Sequence, residues 1–145
     1  MARSINVEIN GASELNTRLE RIKNINPDLI SAVNKATTLV SGRAKYRCPV
    51  DTGALRGSIH PRPADAKGNK VIGVVYTAKE YAPYVEFGTG RRGNYPYKTK
   101  INLSYSPNHA GQVAKPFLMP ALLESKTNIQ EMISNAVIKA ALRKG

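Results

Sequence analysis

The sequence contains little cysteine, and this scarcity excludes two kinds of site. Cys48 is the one cysteine among 145 residues, so the chain has neither an internal disulfide nor a cysteine-based metal cluster. No histidine lies near Cys48 in the sequence, and a thiol without an activating neighbour is usually unreactive. We therefore expect Cys48 to be a small packing residue.

Long apolar runs are also missing. The longest, residues 71–76 and 117–123, are interrupted by glycine or proline, and they fall far short of the roughly 20 residues that span a membrane. Residues 1–5 pass directly into alternating polar and apolar positions, without the continuous apolar stretch of a secretory signal. The sequence therefore predicts no membrane span, and it predicts that the protein acts in the cytoplasm in which it is made.

Acidic residues are few, so the chain is strongly basic. Its 10 Asp and Glu residues stand against 22 Lys and Arg residues, which gives a formal net charge of +12. The excess is spread over the chain, with +4 in residues 1–50, +5 in 51–100 and +3 in 101–145, and there is no detachable basic tail. A charge of this size indicates a polyanionic partner, an assembly with acidic neighbours, or both.

The remaining composition is that of a folded domain. Hydrophobic residues make up 41% and charged residues 22% of the chain, whereas a disordered chain would be poorer in apolar residues. A length of 145 residues is usual for one domain with one hydrophobic core. Because no repeat or second domain is visible, we predict that residues 1–145 form a single domain.

The first half of the sequence predicts one strand and two helices. Residues 5–9 alternate apolar with polar side chains, which is typical of a half-buried strand. Residues 13–25 begin with a serine suitable as a cap and then place apolar side chains at helical spacing. A longer helix is predicted for 27–46, because a capping asparagine, a proline and an acid follow one another at residues 26–28.

The second half predicts a β-hairpin and a last helix. Short β-prone runs between residues 55 and 76, separated by proline and glycine, are most simply two antiparallel strands. Residues 81–87 predict a turn or short helix that leads into a third strand. Residues 120–143 predict a long helix that begins at Pro120. These elements predict an α+β fold, with an antiparallel β-sheet packed by two N-terminal helices and one long C-terminal helix.

A long basic loop is predicted for residues 88–115. The segment is rich in glycine and proline, carries five cations and no acid, and interleaves tyrosines with the cations; loops above about 12 to 15 residues usually have a functional reason. Arginine and tyrosine suit either a protein interface or a single-stranded nucleic acid, and we favour the interface. The candidate interface residues are Arg91, Arg92, Tyr95, Tyr97, Lys98, Lys100 and Tyr105.

The same loop begins with a pattern that is found in dinucleotide-binding proteins. Residues 88–93 match G-x-G-x-x-G. A proline at position 96 prevents a clean helix start after the pattern, and no acid between Glu86 and Glu124 is available to bind a ribose. We therefore predict no cofactor site here.

Catalytic and metal sites have little support in the sequence. His60 and His109 lie far apart, and neither belongs to a spacing of metal ligands such as H-E-x-x-H, so both are expected at the surface. Asp51, Glu80 and Glu86 could form a carboxylate pair for acid–base catalysis, but the sequence brings no two of them together. We predict no catalytic, cofactor-binding or metal-binding residue.

Three blocks of residues carry the clearest signal. In the first block Asp51 is suited to accept hydrogen bonds from the amides that follow it, and Gly53 to form a tight turn. The blocks are Asp51-Thr52-Gly53-Ala54-Leu55-Arg56-Gly57-Ser58, Tyr81-Ala82-Pro83-Tyr84-Val85-Glu86-Phe87-Gly88-Thr89 and Ala114-Lys115-Pro116-Phe117-Leu118-Met119-Pro120-Ala121-Leu122. Together and in this order they resemble the pattern of a family of siphophage and prophage tail-component proteins.

The resemblance extends from about residue 4 to residue 143, and it implies roles for the positions that match. By this resemblance the matching residues are turns and packing positions that define the fold, and none is a catalyst. They are Asp51, Thr52, Gly53, Leu55, Ser58, Tyr81, Val85, Glu86, Gly88, Thr89, Pro116, Phe117, Pro120 and Ala121. Residues 90–113 look variable in the family, so the role of the basic loop rests on its charge alone.

Proteins of the family that this sequence resembles close the tail tube and join it to the head connector, usually as a ring through which DNA passes. The resemblance implies a non-enzymatic virion protein that assembles in the host cytoplasm. Its partners would be further copies of itself, with six as a candidate number, the head connector or stopper protein, the tail tube protein, and genomic DNA that passes without sequence-specific contact. Two alternatives stay open: a stand-alone basic nucleic-acid-binding protein, and a hydrolase that uses Asp51 or Glu86.

Overall fold

The computed structural model describes residues 27–68, 70–90, 108 and 110–142. The elements in these residues are α1 (Pro27–Arg47), α2 (Ala54–Gly57), β1 (Ile59–Lys67), β2 (Lys70–Thr77), α3 (Ala82–Phe87) and α4 (Leu118–Leu142). The predicted α+β fold is confirmed, because an antiparallel sheet packs with helices of which the last is long. The predicted strand at 5–9 and helix at 13–25 lie outside the described residues.

Helices α1 and α4 pack against each other in antiparallel directions. Near one end, Lys139 of α4 lies 3.4 Å from the Asp28 carboxylate of α1. Near the other end, Arg47 of α1 forms an ion pair with Glu124 of α4. The buried face of α1 consists of small and β-branched residues, which let another element approach closely: Ala32, Val33, Ala36, Thr37, Val40, Ser41 and Ala44.

Arg43 of α1 spans one turn of the facing helix. Its guanidinium donates to the Glu124 carbonyl at 2.8 Å, to Ser125 Oγ at 3.0 Å and to Asn128 Oδ1 at 3.1 Å. Ser125 Oγ donates in turn to the Ala121 carbonyl at 2.7 Å. Because arginine holds its donors in a rigid planar fork, these bonds define the register between the two helices.

The β-hairpin contains one irregularity, which lies on β1. The pairing runs from Ile59 opposite Thr77 to Lys67 opposite Lys70, and it shifts by one residue between Arg62 and Asp65. This bulge includes Pro63, which has no amide to give to a ladder. The freed amide of Ala64 donates to Asn34 Oδ1 of α1 at 2.7 Å. The bulge therefore ties the sheet to the helix that covers it.

Strand β2 approaches α1 most closely at Gly73. A β-carbon at this position would lie 2.6 Å from Thr37 Cγ2 and 2.7 Å from Val33 Cγ1, and β-branched side chains in a helix have little freedom to move aside. Glycine here lets the sheet lie directly on the helix. The core that results includes Val40, Ile59, Val75 and Phe117.

Two expectations about the second half need correction. Residues 81–87 form the short helix α3, which was one of the two alternatives, but the strand it was expected to lead into is absent from residues 88–90 and 110–117. Helix α4 begins at Leu118, two residues before the predicted start at Pro120. The reason is a distant side chain that binds the first amides of α4, described below. No helix within the described ranges combines the length and apolar character needed to cross a membrane.

Candidate interface site

The three sequence blocks meet around one concave surface, which we call the motif cleft. Its volume is about 330 Å³, and it is lined by residues 49–55 of the first block and its approach, Tyr81 and Val85 of the second, Lys115 of the third, and Gln112 just before the third. The blocks are separated by more than twenty residues in the chain, so only the fold brings them together. The sequence blocks therefore describe one site.

The first block is a turn that packs Leu55 into the core. Thr52 Oγ1 accepts a hydrogen bond from the Ala54 amide at 3.4 Å, and Gly53 has a φ of 81°, a left-handed conformation that suits glycine. Leu55 is buried with 6% of its surface exposed. Asp51 was expected to accept the turn amides. Its carboxylate is exposed instead, and among the described residues Thr52 takes this role.

Ser58 ends the first block and joins it to the sheet. Its hydroxyl donates to the Leu55 carbonyl at 2.7 Å and lies 2.6 Å from Thr77 Oγ1 at the end of β2. These bonds fix the short helix α2 against the hairpin. The turn that lines the motif cleft is thus held in place from the side of the sheet.

The second block places a carboxylate inside the protein. Helix α3 buries Ala82, Pro83 and Phe87, and Glu86 on the same helix is only 1% exposed. Its Oε2 accepts the amides of Phe117 at 2.7 Å and Leu118 at 2.9 Å, and its Oε1 accepts the amide of Met119 at 2.9 Å. A buried acid is stable only when its oxygens are satisfied in this way.

This arrangement caps the N-terminus of α4 completely. The first four amides of a helix have no partner within the helix. In α4 three of these groups, at residues 117–119, donate to Glu86, and the fourth position is Pro120, which has no amide hydrogen. The carboxylate also faces the positive end of the helix dipole. Glu86 thereby connects the second block to the third.

Two backbone contacts extend this connection along the chain. The Lys115 amide donates to the Val85 carbonyl at 2.8 Å, and the Thr89 amide donates to the Gln112 carbonyl at 2.9 Å. The Gln112 amide donates in return to Thr89 Oγ1 at 2.9 Å. These bonds join the two ends of the basic loop, and we call the paired residues 85–89 and 111–115 the loop stem.

Gly111 lies in the loop stem where no side chain fits. A β-carbon there would lie 1.7 Å from the Thr89 carbonyl oxygen and 2.7 Å from Gly90 Cα, and φ is 71°. Both contacts are with backbone, so relief requires the two segments of the loop stem to separate. Glycine at this position is therefore a condition for the reciprocal Thr89–Gln112 bonds.

We expect Gly111→Ala to lower the free energy of unfolding by about 2–4 kcal/mol, because it adds a backbone collision to the cost of a left-handed residue. Gly68→Ala is the matched control, since Gly68 has a φ of 57° but nothing within 4 Å of its β-carbon position. Urea unfolding measures the stability loss of both variants, and the difference between the two losses is the cost of the backbone collision. Equal losses in the two variants would contradict the close approach.

Neither the Cys48 thiol nor the His60 ring is among the described side chains that line the motif cleft. Cys48 is 2% exposed. Burial raises the pKa of its thiol; the charge of Arg56 lowers this pKa and the charge of Glu86 raises it, with a net rise. The thiol therefore stays protonated. His60 is exposed and lies beside Tyr76, and His109 is outside the described residues. Within the described residues no three His, Cys, Asp or Glu side chains group as metal ligands would.

Apolar side chains are exposed around the motif cleft. Val50 is 54% exposed, Tyr81 45% and Val113 62%. Large exposed apolar groups that adjoin one concave surface are typical of a contact with another protein. The predicted interface residues of the loop, Arg91, Arg92, Tyr95, Tyr97, Lys98, Lys100 and Tyr105, lie outside the described residues, so their role stays a prediction.

A comparison with protein families identifies the family of the chain. Residues 13–88 match the model of the HK97-gp10-like family, described as "Bacteriophage HK97-gp10, putative tail-component", and this span is more than half of the 145 residues. The chain belongs to this family. No curated protein and no solved structure gave a significant match.

Membership of the HK97-gp10-like family makes the chain a structural tail component of a bacteriophage, as the sequence blocks predicted. The matched span contains the first block and reaches Gly88 in the second. The third block follows the match, and Glu86 and the loop stem attach it to the family region. The site of this tail component thus combines family residues with a segment beyond the match.

Sequence reasoning missed several residues of the site. Gln112 lines the motif cleft but was assigned only to a loop, Lys115 lines it too but was not among the residues given a role, and the three acceptors of Arg43 were not predicted. One signal for the Glu86 contact was present: the residues before α4, Lys115-Pro116-Phe117, contain no Ser, Thr, Asp or Asn that could cap a helix. A helix that lacks its own cap needs an acceptor from elsewhere in the chain.

Proposed function

We propose that this tail component completes the tail tube and joins it to the head connector, as a homo-oligomeric ring through which genomic DNA passes. Its partners in this proposal are further copies of itself, the connector or stopper protein and the tail tube protein. The observation that supports this proposal best is the motif cleft, in which most of the lining residues belong to the family match, Val50 and Tyr81 are exposed, and exposed Val113 follows the lining residue Gln112.

A ring requires a heterologous contact, in which one surface of a subunit meets a different surface of its neighbour. The motif cleft offers a concave partner for such a contact. The loop stem joins residues on either side of the predicted basic loop, and its Gln112 and Lys115 line the cleft. The proposal assigns the contact to residues 91–107. In the proposal their arginines and tyrosines contact the adjacent subunit or ring, and repetition around the ring strengthens a contact that is weak for one subunit.

A structural role is also consistent with the state of the acids. Glu86, one of the two carboxylates that the hydrolase alternative could use, has both oxygens occupied by backbone amides and is 1% exposed, whereas the other, Asp51, is exposed in the cleft. A general acid or base must reach the proton that it transfers. We therefore propose that the chain is not an enzyme and that Glu86 acts by holding α4.

The test is assembly of particles in which the loop cations are neutralised. We expect Gln at Arg91, Arg92, Lys98 and Lys100 to leave filled heads and finished tails that do not join, as counted by electron microscopy of lysates complemented with the variant. The matched control neutralises Lys67 and Lys70, which lie in the hairpin, and should give normal particles. Normal joining with the loop variant, or a failure of tails to polymerise, would contradict the proposed role.

The basic charge supports a second candidate, a stand-alone nucleic-acid-binding protein. The net charge of +12 would give binding to single-stranded or duplex DNA that weakens steeply as salt rises. Binding that stays tight at physiological salt without any tail partner would favour this candidate. Weak binding confined to low salt does not separate the two, because any cationic protein shows it.

A further inference from the structure

Strand β2 has one edge that no other described residue occupies. Within the described ranges the sheet has two strands in the order β1–β2, so each strand offers a free edge. Strand β2 (Lys70–Thr77) contains no proline and no acid, and most of its residues are β-branched or aromatic. Long, apolar and proline-free edges readily accept another strand.

The free edge of β1 is different, because it is blocked. Pro61 and Pro63 both lie in β1, and a proline in an edge strand places its missing amide on the open side. The bulge follows at once, and the amide that it frees, on Ala64, is already bonded to Asn34 of α1. Strand β1 therefore lacks the donors that an added strand needs, and of the two described strands only β2 has an open edge.

The position of Pro61 also shows which β2 amides face the open edge. Pro61 is opposite Val75. Two residues directly opposite each other in an antiparallel pair either exchange both backbone hydrogen bonds, or both direct their amide and carbonyl groups away from the partner strand. Pro61 has no amide to exchange, so the Val75 amide points away from β1, and those of Gly73 and Thr77 follow by the strand's period of two. All three residues are buried.

The outer face of the hairpin is apolar up to this edge. Ile72, Val74 and Tyr76 lie on the face of β2 opposite to buried Gly73, Val75 and Thr77, and each is half-buried. On the side of β1 the strip is covered by Arg62, whose guanidinium lies 5.3 Å from the Tyr76 ring. On the side of the open edge, no further strand within the described residues continues the strip. A partner strand would extend this strip and bury it.

We propose that the open edge of β2 binds the β2 edge of a second copy of this chain, in antiparallel direction about a two-fold axis. Bonded pairs must join outward-facing residues, so Gly73 would bond Val75 of the copy. This register places Val74 opposite its own copy and Ile72 opposite Tyr76, an aromatic and β-branched pair of the kind that stabilises sheets. It also separates the two Lys70 ammonium groups by most of the strand's length.

One open edge and one blocked edge per chain limit this association to a closed pair. A contact from β2 to the β1 edge of another copy would propagate into a fibre, and Pro61 and Pro63 prevent it. The pair would form a four-stranded sheet, whereas a two-stranded hairpin alone is marginal. An eight-residue strand of about 27 Å makes a small interface, so we expect dimers that dissociate on dilution.

This contact does not depend on the role proposed above, because it uses β2 and leaves the motif cleft free. Heads and tails could fail to join while the β2–β2 dimer still forms, and they could join while no dimer forms. The two proposals therefore have separate tests. The β2–β2 contact would link two free subunits before assembly, or two copies on different rings in the particle.

The test places a cysteine at the two-fold axis. In a Cys48→Ala background, Val74→Cys should give a disulfide-linked dimer under mild oxidation, since Cα atoms of such a non-bonded pair lie about 4.5 Å apart, within reach of a disulfide. The matched control is Ala66→Cys, an exposed residue of β1, which should stay monomeric. Equal cross-linking of the two variants, or none in either, would overturn the proposal.

A second measurement covers the case in which the cysteine variants fold poorly. Val74→Lys places a cation at the axis beside its own copy, and in sedimentation equilibrium it should be monomeric at concentrations where the unaltered chain is dimeric. Ala66→Lys should dimerise like the unaltered chain. A chain that is monomeric at every concentration would mean that the proposal is wrong. If its outward β2 amides are then still protected from hydrogen exchange, another segment of the same chain occupies the edge.

Discussion

Glu86→Ala is expected to remove about 3–5 kcal/mol from the free energy of unfolding, a large share of the roughly 5–15 kcal/mol of an ordinary domain. The substitution leaves the amides of Phe117, Leu118 and Met119 without the acceptor that binds all three. Each unsatisfied buried amide costs about 1–3 kcal/mol, although water can reach the half-buried Met119. Urea unfolding followed by circular dichroism measures the loss.

Two further variants show whether the charge or the acceptor matters at this position. Glu86→Gln keeps one acceptor oxygen but presents an amide nitrogen to one of the three N–H groups, so we expect a loss of about 1–3 kcal/mol. Glu80→Ala removes an exposed acid just before α3 and should change little. A Glu86→Ala protein as stable as the unaltered chain would contradict the capping role. If Glu86→Gln folds normally but loses a hydrolytic activity, the hydrolase alternative gains support.

Phe117→Ala is expected to cost about 3–5 kcal/mol, because it leaves a cavity in the centre of the core. Phe117 is 0% exposed and heads the largest fully buried side chains in the described residues. Phe117→Leu retains much of the volume and should cost roughly half as much. The measurement is again the free energy of unfolding in urea.

Val113→Ala is the control for Phe117, since it truncates an apolar residue of the same segment that is 62% exposed. We expect it to be nearly neutral in stability. Because the Phe117 amide binds Glu86, the double variant Glu86→Ala with Phe117→Ala should lose less than the two single losses combined. Full additivity would mean that the two residues stabilise separate parts of the protein.

Local signals in the sequence were sufficient for the elements that carry their own start and stop residues. Pro27 and Asp28 begin α1 as predicted, and the β-prone runs before and after Gly68 form the hairpin. Contacts between distant residues could not be predicted in this way. The start of α4 depends on Glu86, which is more than thirty residues away in the chain, so the sequence pattern placed it two residues late.

The sequence showed which blocks of residues belong to the candidate site, but it did not show that these blocks lie around one cleft. The order of the blocks indicated the family, which the match over residues 13–88 bears out. The pattern did not show that the turn at 49–55 faces Tyr81, Val85, Gln112 and Lys115 across one cleft, because no periodicity relates them. Asp51 illustrates the same limit: its type suited a turn acceptor, but Thr52 Oγ1 is the nearer acceptor for the Ala54 amide.

The described residues form a scaffold that brings residues 89 and 112 together. The paired helices, the hairpin and the Glu86 contact form this scaffold, and the loop stem joins its two segments by hydrogen bonds. A scaffold of this kind is suited to hold a contact surface in register in every copy of a ring. In the proposed function the motif cleft and residues 91–107 serve the joint between subunits and rings.

Electron microscopy of intact particles of the phage that encodes this chain tests the proposed role most directly. The proposal predicts a ring of copies between the head connector and the tail tube, with an open lumen along the axis and the motif cleft of each copy against its neighbour. Density for the chain at the distal tail tip, or its absence from finished particles, would contradict it.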